Sequence, residues 1–187
     1  MTNSQVESWI VPLAGHRFDL EDLPRWFSGQ AVHVAPYGDE FALVIPATVI
    51  GRSYEPVYAF AQEHLPLVNG VGRLLSPKFR SVSLTSNVKG VNADGTVCHT
   101  VVAVGTAEMR VKAGAVGVTV GAKAPVDPSE GLAMPLMRAA NRSARAHDAL
   151  VITGRQELTW SELYLLFELV KAEVGGQMYH QGWISKA

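Results

Sequence analysis

The hydrophobic period changes partway along the chain, and that change limits the possible folds more than any single motif. From about Gln30 to Ala122 most segments alternate apolar and polar residues at every second position. Beyond Pro125 the apolar residues return every three or four. A period of two belongs to strands and one near 3.6 to helices, so a sheet-rich body should carry a helical appendage. The predicted division is a body over 1–124, with a kinked helix at about 54–75, and a helical subdomain over 125–187 packed on the sheet. The expected class is α+β: an antiparallel sheet of about five to six strands with helices on one face.

Local signals fill in this outline. Ser8 to Ala14 reads as a strand, and Asp19 reads as the cap of a short helix reaching about Phe27. Ala31–Ala35 and Phe41–Pro46 flank a turn at Tyr37-Gly38-Asp39-Glu40 and form a hairpin. Ser53 and Pro56 suit the start of the next helix, Pro66 should kink or interrupt it, and Asn69-Gly70 should weaken it. Arg80–Val91 and Thr96–Lys112 surround Asn92-Ala93-Asp94-Gly95 as a second hairpin. Val116, Val118 and Val120 mark a further strand, and 124–129 reads as a linker. Helices are expected over about 130–144 and 147–152. The last helix is the best defined: Thr159 with Glu162 makes a capping box, and Gly175 supplies the stop. Its stripe of Leu163, Leu166, Phe167, Val170 and Val174 should be a main stabilising contact.

Composition excludes several classes of function. The 187 residues carry a formal net charge of −1, so steering of nucleic acid by overall charge is not expected. The single cysteine, Cys98, cannot make an intrachain disulfide or a cysteine-built zinc site. His16, His33, His64, His99 and His180 show no ligand spacing, and the glycines near Gly114–Gly121 lie in strand context, so no metal and no cofactor are expected. No apolar run reaches the roughly 20 residues of a membrane helix and the N-terminus has no basic leader, which predicts a cytoplasmic protein without membrane contact.

One spacing has a chemical reading. Arg142, four intervening residues and His147 resemble the Arg-x4–6-His signature of HEPN-type RNases, helical bundles that cut RNA without metal. The match covers Arg142 to His147, with Ser143 where that family carries a larger polar residue. The resemblance implies that His147 and Arg142 would act on the 2′-hydroxyl and scissile phosphate, from two chains of a dimer. His can move a proton near neutral pH and Arg can hold phosphate charge. The same residues also read as a solvated helix face with His147 at a helix end.

Aromatic residues gather near the C-terminus: Trp160, Tyr164, Tyr179 and Trp183. Tyr164, Glu168 and Lys171 share a helix face and pair a phenol, a carboxylate and an ammonium. Such residues pack cores when covered and anchor interfaces when exposed. Leu67-Val68-Asn69-Gly70, Asp94-Gly95, Trp160-Ser161-Glu162-Leu163-Tyr164, Val174-Gly175-Gly176 and Gly182-Trp183 together resemble a set of bacterial proteins to which no activity attaches. That resemblance implies a shared fold and a bacterial cytoplasm.

The function these features favour is a non-enzymatic binding or assembly module with a protein partner or a second copy of itself. Trp160, Tyr164, Glu168, Tyr179 and Trp183 would be its contacts. The alternatives are the metal-independent RNase centred on Arg142 and His147, and a small-ligand binder using Glu108, Arg110 or Tyr164.

Overall fold

The computed structural model describes residues 5–102, 131–155 and 157–175. β1 (Ser8–Ala14), α1 (Arg17–Trp26), β2 (His33–Tyr37) and β3 (Glu40–Pro46) come first. The one-turn α2 (Ala47–Ile50) and the long α3 (Glu55–Leu75) follow. β4 (Ser83–Leu84), β5 (Asn87–Val91) and β6 (Val97–Val102) precede α4 (Ala133–Arg142), α5 (Ala144–Thr153) and α6 (Trp160–Val174). The fold is α+β, as the periodicity predicts, with a helical C-terminal part. The expected strand at Val116–Val120, the expected linker at 124–129, and Glu108, Arg110, Tyr179 and Trp183 lie outside the described residues.

All pairings in the six-stranded sheet are antiparallel, in the order β2-β3-β1-β5-β6, with β4 also on β1. β1 is the hub. Trp9 through Leu13 are buried without alternation, because both faces of this central strand are covered. Trp9, Val11 and Leu13 join the main core beneath the helices, whereas Ile10 packs with Ala42 and Val91 on the other face. The segment read as one strand over 80–91 is two. β4 meets Leu13 and Ala14, β5 meets Ser8 to Ile10, and the register slips by two residues between them. Pro12 sits at the break and has no N–H to continue the ladder, although its carbonyl still accepts from Thr85 N–H at 2.8 Å.

The start of α1 differs from the expectation. The helix begins at Arg17, and Asp19 is not its cap. Asp19 is buried inside the first turn, where its carboxylate accepts from Arg80 Nε at 2.8 Å. A partner in another segment outcompetes the local capping role. α3 runs through Pro66 as one helix, so of the two outcomes expected there the interruption does not occur. The ring costs the Gln62 carbonyl its helical donor, but Gln62 is exposed and water can replace the bond.

Asn69 and Gly70 are buried in the second half of α3. Asn69 Nδ2 donates to the Val82 carbonyl at 3.0 Å, and Val82 N–H donates to Asn69 Oδ1 at 2.9 Å. A Cβ on Gly70 would meet the backbone of Leu150, and one on Gly154 would meet Pro66 O and Gly70 N. α3 and α5 therefore cross with backbone against backbone. Ser81 Oγ adds a bond to Gly154 O at 3.0 Å. α4 lies beside α5 and α3, and Ala133, Met137, Ala140 and Leu150 join the main core. α6 is the outermost layer and packs on α5. None of its residues is buried, so the apolar stripe of α6 is not the main stabilising contact expected of it.

Candidate functional site

α6 is set by its ends. Thr159 Oγ1 accepts from Glu162 N–H at 3.3 Å, and Thr159 N–H donates to Glu162 Oε2 at 2.7 Å, completing the predicted capping box. The Thr159 N–H bond, a second from Thr159 Oγ1 to Oε2 at 2.8 Å, and then one from Arg155 hold the Glu162 carboxyl below the usual carboxylate range. At the other end Gly175 takes φ +62°, a left-handed conformation that stops the helix.

Between these ends the side chains divide by face. Leu166, Leu169, Val170 and Val174 are half-buried. Trp160 is 87% exposed and Tyr164 67%, with Phe167 beside them at 36%. Their spacing, continued by Lys171, puts all four on one line along the solvent side of the helix. Lys171 Nζ lies 5.8 Å from the centre of the Phe167 ring and 3.4 Å from Glu168 Oε1. Trp160, Tyr164 and Glu168, predicted as contacts, thus share an outward surface.

An apolar groove of about 220 Å³ runs along the inner side of α6. Leu74 from α3, Leu136 from α4, Ala149 from α5 and Leu169, Val170 and Val174 from α6 line it. Its rim holds the pair Arg145–Glu173 at 3.6 Å. A second cavity of about 740 Å³ lies where β1 turns into α1 beside the β2–β3 hairpin. Leu13, Leu20 and Phe41 line it along with Arg17, Glu21 and Glu40, and Arg17 Nε bonds Glu21 at 2.8 Å. Both are assembled from separated segments, so no spacing in the sequence announces them.

Arg142 and His147 do not line either cavity. Ser143 breaks the helix between them and caps α5 by accepting from Ala146 N–H at 3.3 Å. Arg142 is the exposed last residue of α4, and His147 is half-buried in the first turn of α5. Neither side chain has a hydrogen bond or ion pair among the described residues. Among those residues no three His, Cys, Asp or Glu side chains are grouped to hold a metal, and no helix is long and apolar enough to cross a membrane. The chain matches no family model, no curated protein and no solved structure.

His64, named in the sequence only as lacking ligand spacing, has a strongly displaced titration. Its ring stacks on Phe60 at 5.7 Å between centroids, and Nε2 is buried without a hydrogen-bond partner. Burial lowers its pKa from 6.5 to about 4. As pH falls below 6.5 the unfolded chain gains a proton that the folded chain refuses until about pH 4. Stability therefore falls through that window, by up to about 2 kcal/mol between pH 7 and pH 5. Urea midpoints at the two pH values should show this loss, and His64→Leu should flatten the difference. An unchanged pH dependence in the variant would clear His64 of the effect.

Proposed function

We propose that the chain is a non-enzymatic protein-binding module whose working surface is the outward face of α6. The observation that carries this reading is the exposure of Trp160 and Tyr164 on a helix rigidly capped at both ends. Leaving large aromatic rings in water forgoes about 25 cal/mol for every Å² that a core position would have removed from solvent. Trp and Tyr are the residues that most often dominate binding energy once a partner desolvates them. The capping box holds the rings on a pre-ordered rod, so little conformational entropy is lost on docking.

A photo-crosslinking residue at Tyr164, introduced into the full chain in its native cells, tests the reading. It should yield a covalent protein adduct, with little or none from the same probe at Arg17 on the α1 side. Equal yields from the two positions, or none from Tyr164, would reject α6 as the working surface.

A further inference from the structure

We infer that the partner of α6 is a second copy of this chain, docked antiparallel along the same helix; this rests on the assignment of α6 as the binding surface. The pattern of the ridge carries the inference. Trp160, Tyr164, Phe167 and Lys171 are separated by four, three and four residues, the a/d seam of a coiled coil. That spacing reads the same from either end. A two-fold axis between Tyr164 and Phe167 sets Trp160 over the partner's Lys171 and Tyr164 against the partner's Phe167. The outer contacts are then cation–π pairs and the inner ones aromatic pairs. The antiparallel arrangement also opposes the helix dipoles favourably. A parallel pair would set Lys171 against the partner's Lys171 at the same level of the seam, a like-charge contact that the antiparallel pair avoids. A net charge of −1 adds almost no repulsion between copies.

The area is sufficient for a weak dimer. At roughly 150–250 Å² per aromatic side chain, the exposed parts of Trp160, Tyr164 and Phe167 amount to about 400 Å². Leu163, 40% exposed, flanks them. Two such faces together bury about 900 Å², the size of a weak, reversible association.

Sedimentation equilibrium of the full chain, from low to high micromolar concentration, should show the mass moving from one chain to two. Tyr164→Lys puts a charge at the centre of the seam and should raise the dissociation constant at least about tenfold. Tyr164 is largely exposed, so the variant should keep the parent's far-UV spectrum and thermal midpoint. Orientation is read in a Cys98→Ser background. In the antiparallel pair the two copies of residue 160 stand about 16 Å apart, eleven helical rises, too far for a disulfide. Trp160→Cys and Lys171→Cys chains mixed together should cross-link on oxidation, and neither should do so alone. Faster cross-linking of Trp160→Cys alone would overturn the antiparallel arrangement. A parent that stays monomeric throughout would overturn self-pairing itself. The mass of the adduct at Tyr164 then separates the two claims: an adduct with a different protein keeps α6 as the binding surface, and no adduct rejects both.

Discussion

Gly70→Ala should lower the thermal midpoint sharply, although a helix-propensity scale gives the opposite sign. Alanine in the middle of an exposed helix is worth about 1 kcal/mol over glycine. At Gly70 the added methyl lies 2.8 Å from the carbonyl carbon of Leu150 and closer still to its oxygen. The obstacle is the backbone of α5 and cannot turn aside as a side chain could. α3 and α5 must separate along their contact, which opens voids around Val68, Val71 and Leu150, all buried. A loss of about 3 kcal/mol or more is expected, equal to roughly 6–12 °C in a chain of this size. Gly72→Ala should cost less, because the atoms nearest its methyl belong to the side chain of Phe79, from 2.7 Å, and not to backbone. Gly131→Ala, with no atom of the described residues within 4 Å, serves as the control. Differential scanning fluorimetry of the three variants is enough. A midpoint for Gly70→Ala at or above that of the parent would mean that the two helices do not touch there.

Much of the fold was readable from local pattern. The hairpin of β2 and β3, the long α3 and the capped α6 follow from alternation, stripe and end signals that lie within a few residues of one another. Local cost misled at Asn69 and Gly70, where a propensity scale registers a weak helix. What holds that helix is a contact with Leu150 and Val82, and no local window contains both partners. Asp19 shows the same effect, since its capping signal was overridden by Arg80. The candidate site divides along the same line. Trp160, Tyr164 and Glu168 were legible as one surface because helical spacing alone puts them together. Their exposure was not, because α6 is apolar on several faces and the stripe that meets α5 cannot be chosen from sequence. The groove beside it needs Leu74, Leu136 and Val170, which only the fold brings together.

The second large effect is expected at Asn69, where one side chain does the work of a missing strand. Val82 is buried with both its N–H and its C=O committed to the Asn69 amide. Asn69→Leu keeps the volume near the original but leaves both backbone groups buried and unpaired, at about 1–3 kcal/mol each. The variant should therefore lose about 2–6 kcal/mol, read from urea midpoints at pH 7. Asn69→Asp separates hydrogen bonding from packing because its shape is nearly the parent's. An ionised carboxylate still accepts from Val82 N–H but repels the Val82 carbonyl, and burial also disfavours the charge. Its folded pKa should then lie above the unfolded value of about 3.9. A raised folded pKa leaves the variant closest to the parent below the unfolded value and progressively weaker as pH rises through the folded one. The protonated acid has an O–H that can donate where the amide donated, which gives the recovery a structural cause. Measured as a difference from the parent at each pH, so that the His64 contribution cancels, the deficit of Asn69→Asp should shrink on acidification while that of Asn69→Leu stays constant. Parallel pH profiles for the two variants would show that Asn69 holds Val82 by fit alone.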